Sequence, residues 1–426
     1  MDIHISPGPL RGTLLIPPSK SMTHRALICA GLSTGVSEID NIQFSDDIRV
    51  TVDALAALGA SIEIRDSEAF PGRNILHIQG MGVPPSGDRR IDCGESGSTL
   101  RFITPICCLQ EGTTVLTGRG RLPQRPLDQY VTPFSRQGIL IQKPQDATLP
   151  LQMQGLLQPG TYELPGHVSS QFVTGLLFAL PLLDEDSDIH ITSPLESRAY
   201  VDMTVSVMRR FGIVIEAPEA YAHYHIPGGQ SYTGMSLAIE GDWSQAAFWM
   251  AAGVLGGEID LRGLNPDSLQ PDREIARILS AHMQYRDDTL MIRPGRVSDF
   301  RVDVSQCPDL APVLAALASV ALGESQIVNA ARLRIKESDR LTAIAEELGK
   351  MGASIAQSPS SLRIQGRQLL QGSRVQSWND HRIAMALAAV SPRVEGEMII
   401  EGADAVNKSY PGFWDDFKSL GGETHE

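Results

Sequence analysis

The stretch Pro17–Ala26, PPSKSMTHRA, places Lys20, Arg25 and several hydrogen-bonding side chains just before the apolar run ALICAGL. A helix that begins here would direct free backbone N–H groups and the positive end of its dipole towards this turn. Cations at such a turn disfavour the helix unless an anion is bound there, because the dipole alone prefers acidic residues. Phosphate and carboxylate are the groups that Arg and Lys bind best. We therefore predict an anion-binding turn.

Cations recur at similar turns along the chain, which strengthens the prediction. Each lies just before an expected helix, and together they are Lys20, Arg25, Arg101, Arg119, Arg121, Arg125, Arg198, Lys336, Arg340, Arg382 and Lys408. A single such residue is most simply a solvated surface charge. Recurrence at equivalent turns indicates several anion sites.

Three residues in these turns are candidates for proton transfer: Asp309 in CPDLAP, Glu337 in RIKESDR and His381 in NDHRIAM. A carboxylate beside cations has a lowered pKa and suits a base, so an acid role for Glu337 would need burial or a bound anion. Each residue also has a structural alternative. Asp309 could simply cap a helix, Glu337 could form a surface ion pair, and His381 could cap its turn.

A unit of about 70 residues recurs six times and must position these turns. Five repeats carry a glycine after their second helix, and the spacings of these glycines are 79, 74, 140 and 69: Gly59, Gly138, Gly212, Gly352 and Gly421. Each repeat begins with a strand, a polar turn and a helix that is apolar nearly all round and should be buried. An amphipathic second helix follows.

In the fifth repeat the amphipathic pattern is clear. Four apolar residues form one face of the second helix, and three charged residues are expected to face water. The apolar residues are Leu341, Ile344, Leu348 and Met351, and the charged ones are Glu346, Glu347 and Lys350.

Six such units in 426 residues predict two α/β domains of three repeats each. One domain is predicted to span 19–232, and the other to combine 1–18 with 233–426. The N-terminal strands DIHIS and GTLLI precede the first repeat and could return to close the last domain.

The composition excludes several classes of protein. A net charge of −14 argues against general nucleic-acid binding, and no apolar stretch reaches the length of a membrane helix. The N-terminus lacks the pattern of a signal peptide, so we expect a cytoplasmic protein with buried, reduced cysteines.

The run Leu310–Leu322 should form a buried helix. The histidines are scattered in the sequence, and no metal site is predicted.

The motifs PSKSMTHRA, SSQ at 169–171, RIKESDR, NDHRIAM and NKSYPGF together resemble the 5-enolpyruvylshikimate-3-phosphate synthase (3-phosphoshikimate 1-carboxyvinyltransferase) family across essentially the whole chain. The resemblance implies an inside-out α/β barrel of two domains, each with three βαβαββ repeats, and an active site in the interdomain cleft. It also implies an enzyme of the shikimate pathway of aromatic amino acid biosynthesis, the target of glyphosate. No cofactor is implied.

The resemblance also implies roles for individual residues. The shikimate-3-phosphate ligands would be Lys20, Ser21, Arg25, Ser169, Ser170, Gln171, Ser197, Asp309 and Lys336. Tyr200 follows Ser197 at the family spacing. The phosphoenolpyruvate ligands would be Lys20, Gly97, Arg125, Gln171, Arg340, Arg382 and Lys408. Glu337 would be the acid, Asp309 the base, with Lys20 sharing proton transfer and His381 in support.

Some residues depart from the family pattern. Glu95 stands for Asn, Ser98 for Thr and Phe102 for a common Pro, while Arg332 stands where Asn is frequent. Glu95 adds a negative charge beside the predicted phosphoenolpyruvate pocket, so the resemblance leaves the response to glyphosate open.

Two other readings remain as alternatives. A UDP-N-acetylglucosamine enolpyruvyl transferase would share the fold, but its usual loop cysteine is missing from TGRGRLPQRPLD. A non-catalytic anion-binding relative would explain Glu95 and Ser98 but not the retained Asp309 and Glu337. The expected partners are the two small substrates, and a monomer is expected.

Overall fold

The computed structural model describes residues 1–216 and 221–425 and has a mixed α/β fold. The chain divides into two compact units. The terminal unit comprises Met1–Pro17 and Glu240–Glu426, and the central unit comprises Pro18–Ile239. Residues 233–239, which the sequence assigns to the domain of repeats four to six, therefore lie in the central unit. The assignment of domains stays a prediction.

The central unit contains the first three repeats. Its strands are Val36–Ile42, Ser61–Asp66, Asn74–Gln79, Arg89–Asp92, Thr113–Thr117, Leu140–Gln142, Leu151–Gln154, Thr161–Leu164, Ser187–Ile191, His223–Ile226 and Ser236–Ala238. Its α-helices are Lys20–Gly31, Asp46–Leu58, Gly97–Ile106, Asp128–Arg136, Ser170–Ala179 and Arg198–Arg210, and its 3₁₀ helices are Leu122–Gln124 and Leu180–Leu182.

The terminal unit contains the last three repeats and the N-terminal strands. Its strands are Ile3–Ser6, Arg11–Leu15, Glu258–Arg262, Met283–Arg286, Thr289–Ile292, Arg301–Asp303, Glu324–Val328, Ser354–Gln357, Leu362–Gln365, Leu370–Gln371, Arg374–Gln376, Val394–Glu395, Met398–Glu401 and Glu423–His425. Its α-helices are Trp243–Gly256, Glu274–Ile278, Ala311–Ser319, Arg340–Lys350, His381–Ala389 and Phe413–Ser419. Its 3₁₀ helices are Pro271–Arg273, Ser280–His282, Pro308–Leu310, Ala331–Ile335, Ser391–Arg393 and Ala403–Lys408.

The repeats share one sheet topology. In the fifth repeat, Arg301–Asp303 pairs in parallel with Glu324–Val328, which pairs antiparallel with Leu362–Gln365, and Ser354–Gln357 forms the edge. The second repeat has the same strand order and the same pairing. A recurring sequence unit thus becomes a recurring sheet.

Three strands join sheets of distant repeats. Arg11–Leu15 pairs in parallel with Glu258–Arg262 of the fourth repeat, and Ser236–Ala238 pairs in parallel with Val36–Ile42 of the first. Ile3–Ser6 lies in the sixth-repeat sheet. Both N-terminal strands therefore complete sheets of the terminal unit.

The first helix of each repeat forms the core of its unit, as the apolar pattern predicts. Trp243–Gly256, Ala311–Ser319 and His381–Ala389 contact one another and are buried over nearly their whole length. Five of these six helices begin at a side chain that accepts a backbone N–H among the described residues, namely Ser19, Ser96, Ser169, Asp242 and Asp380. These caps satisfy donors that would otherwise be orphaned at the turns.

The five marker glycines all follow second helices and have φ between +85° and +118°. Glycine adopts this left-handed conformation without the penalty of a Cβ atom, and it is the usual residue where a helix ends. The repeat spacing is therefore the spacing of helix ends.

One expected surface residue is buried. Leu341, Ile344, Leu348 and Met351 are buried as predicted, but the side chain of Glu347 is only 1% exposed. Its carboxylate accepts hydrogen bonds from Trp378 Nε1 (2.7 Å), from the backbone N of Gln376 (2.9 Å) and from Lys350 Nζ (2.7 Å). The amphipathic pattern was wrong for Glu347 because Gln376 and Trp378 come from a distant turn, whereas Lys350 lies on the same helix.

All five cysteines are free and buried, as predicted. None of the helices in the described part of the chain is both long and apolar enough to cross a membrane.

Candidate active site

The terminal unit brings its predicted site residues together around Arg340. This guanidinium is 2% exposed and donates from Nη1 to Asp309 Oδ1 (2.9 Å) and from Nη2 to Glu337 Oε2 (2.7 Å). Arg340 is the first residue of its helix, and Asp339 caps that helix by accepting from Thr342 N. The cation is thus held at a helix N-terminus, as the sequence predicts.

Asp380 binds the guanidinium of Arg340 and was not among the site residues predicted from the sequence. It is fully buried and accepts from Arg340 Nε (2.8 Å) and Nη2 (3.3 Å). Ser338 Oγ and the backbone N of Arg382 also donate to it, so it both orients the guanidinium and caps the helix His381–Ala389. The N-cap position in NDHR was the available signal.

Asp309 faces a second guanidinium as well. Arg382 donates from Nη2 to Asp309 Oδ2 (3.0 Å) and to Ser244 Oγ (3.1 Å). Neither helix that begins beside Asp309 has a side-chain cap bond, so the capping alternative is wrong for this residue. Its carboxylate instead lies between two cations.

The charges around Asp309 decide its ionisation. Burial raises the pKa of this carboxyl, but Arg382, Lys336 and Arg340 together hold it well below its usual range. The same cluster acts on Lys336, because burial lowers the pKa of its ammonium to about 8 although Asp309 opposes the shift. Asp309 is therefore ionised, and Lys336 can lose its proton near neutral pH.

Glu337 is not a surface ion pair. Its side chain is mostly buried, and its partner Arg340 is almost fully buried. Burial alone would lower the pKa of Arg340, but Asp380, Glu337 and Asp309 raise it. This cation stays charged throughout the accessible pH range.

His381 and Lys408 adjoin the same turn. His381 is buried, with Nδ1 3.8 Å from Asp380 Oδ1, and Asp380 rather than His381 caps the helix. Lys408 donates from Nζ to the backbone carbonyl of Asn379 (2.7 Å). Trp378 and Asn379 have φ of +55° and +51°, a strained conformation for side-chain-bearing residues. Such strain occurs most often at functional sites.

The first anion turn lies in the central unit. Lys20 begins its helix and donates from Nζ to Asp47 Oδ2 (2.8 Å), a carboxylate that the sequence analysis did not single out. His24 is buried with Nδ1 2.8 Å from Thr51 Oγ1. Burial, Lys20 and Arg25 hold the pKa of His24 well below its usual value, so this ring is neutral and packs in the interior.

Arg25 is buried and fixed in position. It donates to Thr204 Oγ1 (2.8 Å), to the backbone carbonyl of Ser21 (2.7 Å) and to that of Tyr200 (2.9 Å). Burial lowers the pKa of its guanidinium to about 10. The guanidinium carbon Cζ of Arg25 lies 5.4 Å from the centre of the Phe102 ring. Phe102, which departs from the family pattern, therefore makes a cation–π contact with Arg25. Two of its five N–H donors are not used in these bonds.

A second cluster in the central unit surrounds the turn at Gly97. A Cβ atom added to Gly97 would lie 2.7 Å from Arg125 Nη1 and 3.1 Å from Arg101 Nη1, so glycine permits this close approach. Gln171 accepts from Arg101 Nη1 (2.6 Å) and donates from Nε2 to Ser98 Oγ (2.9 Å). Ser98 is therefore part of the cluster although it departs from the family pattern.

The other predicted shikimate-3-phosphate ligands of the central unit lie at helix starts. Ser169 caps its helix by accepting from Gln171 N (3.3 Å), and Ser170 is the first helical residue. Ser197 precedes the helix Arg198–Arg210 with φ +55°, and its carbonyl accepts from Tyr200 N (3.1 Å). Each site residue of this unit thus lies on a turn or in the first two turns of a helix.

The sequence is similar to known proteins over its whole length. The family model described as EPSP synthase (3-phosphoshikimate 1-carboxyvinyltransferase) matches residues 5–417. The chain belongs to the EPSP synthase family. Relatives named 3-phosphoshikimate 1-carboxyvinyltransferase include one from Clostridium kluyveri, 49% identical, and one from Clostridium acetobutylicum, 46% identical. Each alignment covers 100% of this chain and 98% of the relative.

Solved structures support the fold of the EPSP synthase family. An EPSP synthase from Acinetobacter baumannii aligns with a TM-score of 0.80 at 24% identity, covering 100% of both chains. The enolpyruvyl transferase NikO from Streptomyces tendae aligns with a TM-score of 0.77 at 17% identity, covering 100% of this chain and 98% of the other. The EPSP synthase family resemblance read from the motifs is thus confirmed.

Proposed function

We propose that this chain transfers the enolpyruvyl group of phosphoenolpyruvate to the 5-hydroxyl of shikimate-3-phosphate, which yields 5-enolpyruvylshikimate-3-phosphate and phosphate in the shikimate pathway. Membership in the EPSP synthase family carries this proposal. Both substrates are multiply charged anions, and buried cations at helix starts suit them in both units.

Glu337 is the proposed acid. It donates a proton to the methylene carbon C3 of phosphoenolpyruvate, which leaves C2 electron-poor. Arg340 is the direct partner of Glu337 (2.7 Å). A substrate anion bound to Arg340 would replace part of this carboxylate's counter-charge and favour its protonated form.

Asp309 is the proposed base, with Lys336 and Lys20 beside the hydroxyl. The 5-hydroxyl oxygen bonds to C2 while its proton passes to Asp309, and a tetrahedral intermediate results. The C2–O bond to phosphate then breaks, C3 returns its proton to Glu337, and the proton held by Asp309 passes to the departing phosphate. The surrounding cations stabilise the charge on the departing phosphate. His381 is proposed to support this cluster.

The binding roles implied by the resemblance are proposed for the remaining residues. Shikimate-3-phosphate would contact Lys20, Ser21, Arg25, Ser169, Ser170, Gln171, Ser197, Asp309 and Lys336. Phosphoenolpyruvate would contact Lys20, Gly97, Arg125, Gln171, Arg340, Arg382 and Lys408. Each of these residues lies on a turn or near the start of a helix, which supports the assignment.

We also propose the inside-out α/β barrel of the family, with the active site in the interdomain cleft of a monomer. The buried first helices of both units support the barrel. Shikimate-3-phosphate should close the cleft and reduce the radius of gyration in small-angle X-ray scattering. An unchanged radius at saturating ligand would contradict domain closure without affecting the assigned chemistry.

A phosphate-release assay tests the function. Purified protein should release phosphate from phosphoenolpyruvate when shikimate-3-phosphate is supplied and not when UDP-N-acetylglucosamine replaces it. Turnover with only the second pair would establish the sister transferase, and the family comparisons do not favour that alternative. Inactivity with both pairs would indicate a non-catalytic relative.

A further inference from the structure

A cluster of His4, Glu397 and His425 lies on the sixth-repeat sheet of the terminal unit. The strand Ile3–Ser6 lies between Met398–Glu401 and Glu423–His425 in this sheet. His4 is directly opposite His425, and Glu397 immediately precedes the strand on the other side of His4. The sheet thus brings together residues that are 421 positions apart in the sequence, which is why sequence spacing did not reveal them.

The distances within the cluster suit a metal ion. His4 Nδ1 lies 3.3 Å and His425 Nε2 lies 3.4 Å from the same oxygen, Glu397 Oε1. The three ligand atoms all lie within 4.8 Å of one another. Zinc bonds of about 2.0–2.1 Å in a tetrahedron place neighbouring ligand atoms about 3.3–3.4 Å apart.

We propose that His4, Glu397 and His425 bind a divalent transition-metal ion, with Zn²⁺ as the natural fit to two imidazoles and a carboxylate. Solvent would complete the coordination. The side chains of His4, Glu397 and His425 are 28%, 49% and 61% exposed respectively, so the cluster lies at the surface, although His4 Nδ1 itself is buried. The two rings are stacked with centroids 4.7 Å apart.

Charge favours a cation at this position. Glu423 precedes His425 by two residues on the same strand and therefore lies on the same face of the sheet. In this cluster the three ligand atoms all lie within 4.8 Å of one another, a criterion that no other group of His, Cys, Asp and Glu in residues 1–216 and 221–425 meets. The cysteines do not compete for the ion, because they are buried.

The proposed ion would join three strands of one sheet, and its role would be structural. It would bind the folded chain and not the unfolded one, since the ligands meet only when the sheet is formed, and it would therefore raise the melting temperature. This inference is independent of the proposed function, because none of the three ligands belongs to the catalytic cluster.

Isothermal titration of chelator-stripped full-length protein with Zn²⁺ tests the proposal. One ion should bind per chain. The variants H4Q, E397Q and H425Q should each raise the dissociation constant for Zn²⁺ at least about tenfold. H77Q is the matched control, because His77 Nδ1 lies 3.3 Å from Glu38 Oε1 in a His–Glu pair outside the cluster. This control should bind Zn²⁺ as the unaltered protein does.

Thermal unfolding provides a second readout. Zn²⁺ should raise the melting temperature of the unaltered protein and of H77Q, while H425Q should show no rise. The substituted side chains are partly exposed and lie outside the hydrophobic core, so the variants should fold, and their unfolding curves without metal verify this. The proposal would be overturned if the double variant H4Q/H425Q bound Zn²⁺ as tightly as the unaltered protein does. It would also be overturned if the unaltered protein showed no saturable binding of Zn²⁺.

Discussion

Replacing Asp380 by Asn removes one negative charge from the centre of the terminal unit and changes little else. Asp380 is fully buried and is the carboxylate that contacts Arg340 through two nitrogens, at 2.8 and 3.3 Å. The Asn amide keeps one oxygen acceptor, but its NH₂ group would face a donor. We therefore expect a loss of stability from an incompletely compensated guanidinium.

The size of the loss follows from the burial of the pair. Breaking a buried ion pair costs about 3–5 kcal/mol, because the remaining charge stays in a medium of low polarity. Asp309 and Glu337 still contact Arg340, which favours the lower end, about 3 kcal/mol. For a unit of about 200 residues this corresponds to a fall in melting temperature of about 6–12 °C.

Tryptophan fluorescence during urea unfolding measures this loss. All four tryptophans, at 243, 249, 378 and 414, belong to the terminal unit, so the signal reports on that unit. The control is E401Q, which removes the carboxylate of an exposed pair with Arg374 and should change stability far less than D380N does. An equal effect of D380N and E401Q would refute the reasoning.

Three other predictions concern the site. Asp309→Ala should lower kcat at least about a hundredfold, as expected for loss of a general base, and near-normal turnover would contradict that role. Gly97→Ala should raise the KM for phosphoenolpyruvate about tenfold or more by displacing Arg125, whereas Gly349→Ala, with open space at its Cβ, should leave the KM unchanged. Burial lowers the pKa of Lys336 to about 8, so the unfolded chain binds more protons between about pH 8 and 10.5, and this group's contribution to stability rises with pH across that window. Urea unfolding at pH 8 and pH 10 should show a smaller rise for K336M, and identical pH dependence would contradict the prediction.

Local regularities of the sequence predicted much of the fold. A glycine after five of the six second helices and an apolar first helix are properties of neighbouring residues, and the structure has both. The strand GTLLI was expected to return to the last domain, but the strand with which Arg11–Leu15 pairs was not predicted, nor was the partner of Ser236–Ala238. Their partners lie about 200 or more residues away, and nothing in a five-residue or three-residue strand identifies a distant neighbour.

Prediction of the site residues was limited in the same way, because partners that are distant in the sequence could not be identified. Cations at helix starts were visible because each turn carries its own signal. Asp380 and Asp47 were missed because a buried counter-ion looks like an ordinary helix-start acid until its partner is known. Glu347 was assigned to the surface for the same reason, since its indole partner Trp378 comes from another repeat.

The position of the strand Ile3–Ser6 constrains the order in which the chain can fold during synthesis. Both of its sheet neighbours lie after residue 397. At about 5–20 residues per second, a ribosome needs about 20–80 s to make those neighbours after it has made the strand. The central unit, whose residues are complete by position 239, can fold in that interval. The first strand must instead wait, unpaired and open to chaperones, until the last repeat has been made.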